Sequence, residues 1–174
     1  STSKFGNATT YDGTGDYTRV ANNSKLHLTN AMTVAVWVNG TAASEEILGR
    51  WDESSNRSFH LYLNNNSYPG FLVDATGSYT TIGYAEGTSA MPSGWHHLVG
   101  TYDGSYLRVY QDGVLVANSA YSSGINAGTA ALDIGGNISG NFYPGKIDET
   151  RIYNRALSGA EVSQLYNWAP GPIG

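Results

Sequence analysis

Hydrophobic side chains recur at every second position in nearly all apolar stretches of this chain. The run MTVAVWVN at 32–39 places Met or Val at alternate positions, and FHLYLN at 59–64 does the same with Phe and Leu. Alternation of period two is typical of a β-strand with one buried face. Further short apolar runs lie at 71–73, 98–102, 107–110, 114–117 and 132–134. So many short strands predict an all-β sandwich.

Two Asp-Gly pairs indicate how some of these strands are joined. Asp103-Gly104 and Asp112-Gly113 each lie between apolar runs. Both residue types tolerate the positive φ angles of a tight hairpin turn. We therefore expect a three-stranded antiparallel meander from Trp95 to Ala117.

One segment near the end departs from the period of two. Ser158 followed by Glu161 matches a capping box, and apolar residues then recur at helical spacing as far as Tyr166. The pattern predicts one short helix from about Gly159 to Asn167.

The length of 174 residues and a hydrophobic content of 40% fit one domain with a substantial core. Pro170 and Pro172 alternate with glycine at the end, a composition typical of a semi-extended linker. We expect one domain over residues 1–168 and a linker remnant over 169–174. The chain would then be a monomeric module of a longer multidomain protein.

Charge and cysteine content narrow the classes of partner. The net charge is −5 without any basic run, so neither nucleic acid nor membrane is an expected partner. The chain has no cysteine, which excludes a disulfide scaffold and a thiolate metal site. Charged residues make up 13%, below the roughly 25% typical of globular proteins. This composition favours an extracellular module, secreted or on a cell surface.

Four segments occur in an order that resembles a known family. They are DGTGDYTRV from Asp12, MTVAVWVNG from Met32, GWHHLVGTYDGSYLRVYQDGVLVA from Gly94 and GKIDETRIYNRALSGAEV from Gly145. Together they resemble the laminin-G-like branch of the concanavalin A-like lectin and glucanase superfamily. The resemblance implies a jelly-roll sandwich of two curved antiparallel sheets. It also implies sugar or protein ligands on the concave face or at the rim loops.

Asp148 is a carboxylate inside the last apolar strand. Simple alternation places it on the same face as Ile152 and opposite Ile147. A buried carboxylate needs a cation, either a metal ion or a nearby Lys or Arg.

The resemblance implies that this cation is a structural calcium ion joining the first loop to the last strand. The matching ligands are Asp148 and Asp12, with Asp16 as a possible third. Calcium prefers six to eight oxygen ligands, which a glycine-rich loop can supply from its backbone. The alternative is that Asp12 and Asp16 form Asx turns while Asp148 pairs with Arg19 or Arg151.

Residues for catalysis are not evident. Glucanases of this superfamily carry two carboxylates on one strand, roughly 5 Å apart in retaining enzymes. Here Glu45 and Glu46, like Asp52 and Glu53, lie in sequence typical of loops, and adjacent residues of a strand point to opposite faces. The side chains of His96 and His97 point to opposite faces for the same reason, so we do not expect them to share a metal ion. We therefore expect a non-catalytic protein.

Aromatic side chains among polar ones are the feature expected of a sugar site, because sugar rings stack on aromatic faces while polar groups take the hydroxyls. Trp51 lies in such a polar setting. The alternative is that these aromatic side chains merely cover the outer surface of the sandwich or plug its rim. The candidate carbohydrate-binding residues are Trp51, Asp52, His60, Tyr62, Tyr84, Phe142 and Tyr143.

Two functions are favoured after these exclusions, with a degenerate or unusual glycosidase as a third alternative. The first is a non-catalytic carbohydrate-binding module of a larger secreted or surface protein, stabilised by calcium. The second is a protein-binding or spacer module of a calcium-dependent surface adhesin.

Overall fold

The computed structural model describes residues 4–40, 45–52 and 56–168, with only the backbone at residue 45. The predicted linker at 169–174 lies outside the described residues. The described residues form twelve strands, one 3₁₀ helix and one α-helix. The strands are β1 (Thr9–Asp12), β2 (Thr18–Val20), β3 (Met32–Asn39), β4 (Glu45–Arg50), β5 (Phe59–Leu63), β6 (Pro69–Asp74), β7 (Ile82–Glu86), β8 (Trp95–Tyr102), β9 (Tyr106–Gln111), β10 (Val114–Ala120), β11 (Leu132–Ile134) and β12 (Pro144–Tyr153), with the 3₁₀ helix at Ser24–Leu26 and α1 at Gly159–Asn167.

The strands form two antiparallel sheets of six strands each. The first sheet has the order β1-β12-β3-β8-β9-β10, and the second has the order β2-β11-β4-β5-β6-β7. Both sheets combine strands distant in sequence, as expected for a jelly roll. The predicted all-β jelly-roll sandwich is therefore confirmed.

The core lies between the two sheets and follows the alternation of the sequence. In β3, Met32 and every second residue after it as far as Val38 are fully buried in this core, and in β5 Phe59, Leu61 and Leu63 face it from the opposite sheet. The sheets are in close contact at Gly100 of β8, where an added Cβ would lie 2.4 Å from Cγ of Phe71 in the opposite sheet. A larger residue at this position would force the sheets apart.

The predicted meander and helix are both present. Strands β8, β9 and β10 pair in sequence, and the turn between the last two has positive φ at both Asp112 and Gly113. Helix α1 begins after Ser158, whose side chain and that of Glu161 form the expected capping box. The described part of the chain has no helix long and apolar enough to cross a membrane.

Helix α1 packs on the outer face of the first sheet. Tyr166 of the helix stacks on Trp37 of β3 at 5.5 Å between ring centroids. The Nζ atom of Lys4 lies 3.9 Å from the Trp37 ring centroid on the same face. Trp37 is therefore buried between sheet and helix, outside the cluster between the two sheets.

A bulge in β12 overturns the predicted orientation of Asp148. Between Asp148 and the next paired residue, β12 takes three residue steps where β3 takes two. Ile147 lies opposite Val38 and Ile152 lies opposite Val34, so both isoleucines pack on the core. The extra residue places Asp148 on the other face from Ile152, because a bulge shifts the alternation by one.

Arg50, at the end of β4, is a fully buried cation surrounded by neutral oxygen atoms. A guanidinium has five N–H groups, and five contacts at 2.8–3.1 Å use its nitrogens. Burial lowers its pKa. The arginine thereby ties two loops to the second sheet. The acceptors are the carbonyls of Leu26, Ala127, Gly128 and Ala130 and the side-chain oxygen of Asn22.

Candidate functional site

The outer face of the second sheet carries two adjoining depressions that share His60, Tyr62 and Glu86. Because these three residues line both depressions, we treat the two as one groove. The first depression, of about 440 Å³, is also lined by Leu63, Asn64, Asn65, Asn66 and Asn141. The second, of about 530 Å³, is also lined by Trp51, Arg57, Leu72 and Tyr79.

Alternation along the strands determines which side chains reach the groove. In β5, His60 and Tyr62 lie between buried residues and point away from the core. Their partners across the sheet are Leu72 and Gly70 of β6. Gly70 is in turn paired with Glu86 of β7. The groove is therefore built across three neighbouring strands.

Tyr62, Gly70 and Glu86 occupy one line across the sheet. A Cβ atom on Gly70 would lie 2.4 Å from Cζ of Tyr62, so the ring passes directly over the glycine. The hydroxyl of Tyr62 then donates a hydrogen bond to Oε1 of Glu86 at 2.6 Å. Burial and the neighbouring carboxylate raise the pKa of Tyr62, which keeps its hydroxyl protonated as a donor.

A second donor holds the other oxygen of Glu86. Nδ2 of Asn64 donates to Oε2 of Glu86 at 3.3 Å. Asn64 is itself fixed, since its Oδ1 accepts from the backbone N–H groups of Asn66 and Tyr68. The carboxylate of Glu86 is therefore held in one orientation where the two depressions meet.

Three rings form a continuous aromatic strip along the groove. The centroids of Trp51 and His60 are 5.5 Å apart at 34°, and those of His60 and Tyr62 are 4.9 Å apart at 37°. Trp51 is only 7% exposed, so its environment is much less open than the polar sequence around it suggests. It contributes an edge of the strip, while Tyr62 lies at the junction of the depressions.

Arg57 and Tyr79 enclose the second depression beside Trp51. The guanidinium of Arg57 lies 5.5 Å from the Trp51 ring centroid and 5.3 Å from that of Tyr79. Tyr79 is 53% exposed and meets Trp51 edge to face at 5.9 Å. Its backbone has φ of 65° and donates to the buried carboxylate of Asp74 at 2.6 Å. Asp74 thus positions this wall of the groove.

Glu46 corrects the prediction that Glu45 and Glu46 lie in a loop. Both belong to β4, and the side chain of Glu46 is fully buried. Its Oε2 accepts from Nδ2 of Asn137 at 2.6 Å and lies 3.3 Å from Nε2 of His60. Burial lowers the pKa of His60 to about 3, so this histidine is neutral at neutral pH.

Two of the predicted sugar-binding residues lie away from the groove. Tyr143 is fully buried and donates its hydroxyl hydrogen bond to the carbonyl of Gly40 at 2.8 Å, so its assignment as a ligand is wrong. Phe142 is half-buried and stacks on Tyr17 at 6.2 Å. Within this loop, Asn141 is the residue that lines the groove.

Two others lie near the groove without lining it. Tyr84 is 53% exposed and lies beside Leu72 in the sheet. Asp52 is half-buried and follows Trp51 in the chain. Of the predicted sugar ligands, the structure brings together Trp51, His60 and Tyr62.

Asp148, one of the three predicted calcium ligands, is occupied by backbone donors. Its Oδ2 accepts from the N–H groups of Lys4 at 3.2 Å and Phe5 at 2.9 Å. Its Oδ1 accepts from the N–H of Glu149 at 2.9 Å. Three N–H groups therefore stabilise this carboxylate and hold the first described residues against β12.

Asp12 lies apart from Asp148. It is paired with Pro144, at the opposite end of the β1–β12 ladder. Its Oδ1 accepts from the N–H of Thr14 at 2.8 Å, which lowers its pKa and forms the Asx turn considered above. Asp16 is exposed in the same loop. The three aspartates do not share one site, and no group of three acidic or histidine side chains suited to a metal occurs among the described residues.

The arginines considered as partners of Asp148 have other partners. Arg19 forms a two-pronged ion pair with Asp133 at 2.6 and 2.7 Å. Arg151 pairs with Glu149. The predicted pairing of Asp148 with either arginine is therefore wrong, because backbone N–H groups take that role.

Glu86 and Gly70 were missed in the sequence. Glu86 lies two residues after Tyr84, and the buried Ala85 between them is the alternation that places both on one face. Gly70 follows Pro69, and this dipeptide resembles a turn although it lies in β6. The hydrophobic pattern could have revealed Glu86, whereas the role of Gly70 required the register of the sheet.

Comparison with known proteins gives a match to a family model. A laminin G model, described as the concanavalin A-like lectin/glucanases superfamily, matches residues 12–163. No curated protein sequence matches the chain.

Solved structures share the fold at low sequence identity. The binding domain of Paraclostridial Mosquitocidal Protein 1 superposes with a TM-score of 0.73 at 16% identity, over 92% of this chain and 43% of that one. Domain 4 of AbnA, an extracellular arabinanase of Geobacillus stearothermophilus in complex with arabinotriose, gives 0.70 at 20% identity, over 95% and 79%. The CBM40 of Ruminococcus gnavus IT-sialidase, bound to α2,3 sialyllactose, gives 0.69 at 16% identity, over 91% and 96%.

Proposed function

We propose that this chain, which belongs to the concanavalin A-like lectin/glucanases superfamily, is a non-catalytic carbohydrate-binding module of a larger secreted or surface protein. The observation that carries the proposal is the aromatic strip of Trp51, His60 and Tyr62, which ends at the ordered carboxylate of Glu86. This juxtaposition combines an apolar platform with a fixed hydrogen-bond acceptor.

The chemistry of sugars matches such a surface. A pyranose or furanose ring has an apolar face of C–H groups that packs on an aromatic ring, while its hydroxyls need hydrogen-bond partners. In the groove, Tyr62 offers the platform and Glu86 the acceptor. The amide side chains of Asn64 and Asn141 add neutral partners in the first depression.

The similar structures support a glycan as the ligand class. One was determined with arabinotriose and another with α2,3 sialyllactose. Because their identity to this chain is low, the likeness shows a shared fold alone. The proposal therefore depends on the groove itself.

The carboxylates of the groove favour binding over hydrolysis. Glycoside hydrolysis generally needs two carboxyl groups facing the same bond. Among the described residues that line the groove, Glu86 is the single carboxylate. Glu46 is buried behind His60 and hydrogen-bonded to Asn137, away from any bound sugar.

Calcium and an extracellular location belong to the proposal as predictions from the sequence. The loop containing Asp12 and Asp16 is the place where the predicted ion would bind. The separation of Asp148 from this loop argues against an ion shared with the last strand.

Affinity electrophoresis in gels containing soluble polysaccharides tests the proposed function. We expect at least one polysaccharide to retard the protein and the variant Tyr62→Ala to migrate freely. The matched control is Tyr106→Ala, which removes a partly exposed tyrosine from β9 of the other sheet. Retardation by no polysaccharide would contradict the proposal and favour the protein-binding or spacer module of an adhesin.

A further inference from the structure

We infer that the groove selects neutral glycans over acidic ones, and that Glu86 is the residue that determines this specificity. The inference rests on the proposed function, since it names the class of sugar for the same groove. It follows from the charge of the lining, the orientation of one carboxylate and the neutral state of one histidine.

The charged lining of the groove consists of two side chains at different places. Among the residues described, Arg57 and Glu86 are the charged ones that line either depression. Arg57 lies over the rings of Trp51 and Tyr79, which attract its positive charge. Glu86 instead lies at the junction, where a ligand that spans both depressions must pass. The central charge met by such a ligand is therefore negative.

Glu86 is arranged to accept hydrogen bonds from sugar hydroxyls. An ionised carboxylate has about four acceptor positions. Tyr62 occupies one on Oε1, and Asn64 occupies one on Oε2. The remaining positions suit hydroxyl donors. A carboxylate or sulfate on the ligand, brought within hydrogen-bond distance of Glu86, would be repelled by its negative charge.

The surroundings of Glu86 do not compensate its charge. His60, which lines both depressions, is neutral because burial lowers its pKa to about 3. Glu46 lies behind His60, with Oε2 at 3.3 Å from Nε2, and is a further acidic side chain rather than a cation. The first depression is otherwise rich in asparagine, which binds hydroxyls without charge.

A panel of paired polysaccharides tests this specificity. The neutral members are arabinan, xylan, galactan and mixed-linkage β-glucan, and the acidic members are polygalacturonate, alginate and hyaluronan. We expect retardation by one or more neutral polymers and by none of the acidic ones. Because the bound ligand is uncharged, its affinity should change less than about twofold between low and high salt.

The variant Glu86→Gln keeps the size of the side chain and removes its charge. We expect it to weaken binding of the neutral ligand about tenfold, since a hydrogen bond to a charged acceptor is lost. Glu149→Gln, on the other sheet, changes the net charge equally and should bind as the unmodified protein does. Thermal melts of both variants confirm folding.

The outcomes separate the two claims. Binding of acidic polymers in preference to neutral ones, or unchanged affinity of folded Glu86→Gln, would overturn the inference while the proposed function stands. Binding of no polysaccharide at all would overturn both. Neutral binding that Glu86→Gln weakens and Glu149→Gln leaves unchanged would support both.

Discussion

Gly70 lies beneath the ring of Tyr62, so close that an added Cβ would be 2.4 Å from the tyrosine Cζ. Real Cβ atoms do not approach that closely, so a side chain at this position must displace the ring. The ring is also the group whose hydroxyl orients Glu86. One glycine near the start of β6 thus determines the position of both the aromatic platform and the acceptor.

Gly70→Ala should therefore abolish sugar binding while the sandwich still folds. We expect at least a tenfold loss of affinity, measured by affinity electrophoresis or calorimetry, because Tyr62 can no longer reach Glu86. Gly159→Ala is the matched control, since its new Cβ would meet nothing nearer than 3.7 Å. Unchanged binding by folded Gly70→Ala would contradict the role given to this contact.

Arg50→Lys should destabilise the fold by about 3 kcal/mol. A lysine has three N–H groups in place of five and leaves buried carbonyls without donors, at about 1–3 kcal/mol each. Urea unfolding measures the loss. Arg108→Lys, whose arginine forms a partly exposed pair with Asp103, should cost less than about 1 kcal/mol. Equal losses of stability in the two variants would argue against a stabilising role for the buried hydrogen bonds of Arg50.

Stability should fall as the pH is lowered from about 6.5 to 5. Burial lowers the pKa of His60 to about 3 and that of His97 to about 4, while an unfolded histidine binds its proton near pH 6.5. In this window the unfolded state binds more protons than the folded state, so acid favours unfolding. Each histidine contributes at most about 1.4 kcal/mol per pH unit.

Urea unfolding at several pH values checks this dependence. Replacing either of these two histidines, as in His97→Gln, should flatten the slope of stability against pH. His27→Gln, which removes a histidine outside the core, should leave the slope as it is. A slope that no variant alters would mean that other groups cause the acid sensitivity.

Calcium binding can be tested separately from sugar binding. If the loop at Asp12 and Asp16 holds the predicted ion, EDTA should lower the melting temperature, and Asp12→Asn should remove that effect. Asp148→Asn should lower the melting temperature equally with and without EDTA, because it weakens the N–H contacts of Lys4 and Phe5. A melt unchanged by EDTA, together with no calcium in elemental analysis, would exclude the ion.

The parts of the fold that depend on neighbouring residues could be predicted from the sequence. The meander follows from two Asp-Gly turns, and helix α1 begins where its capping box predicts and ends where the helical spacing of apolar residues does. His60 and Tyr62 were likewise correctly placed on one face by alternation. In each case the determining residues lie within a few positions of one another.

The parts that depend on pairing between distant strands could not be predicted. Asp148 lies on the face opposite to the predicted one because of a bulge against β3, which no local pattern reveals. Glu46 is buried where Nδ2 of Asn137, 91 residues later, donates to its Oε2. Tyr143 likewise resembled a surface aromatic until its contact with Gly40 placed it inside.

Alternation along β5, β6 and β7 separates two sets of residues that mutation can change independently. Positions 60, 62, 72, 84 and 86 face outward, and their immediate neighbours along each strand face inward. A combinatorial library restricted to these outward positions, with Gly70 retained, would leave the interior composition unaltered. The second sheet is therefore a template for affinity reagents whose targets could be reassigned by selection without redesign of the scaffold.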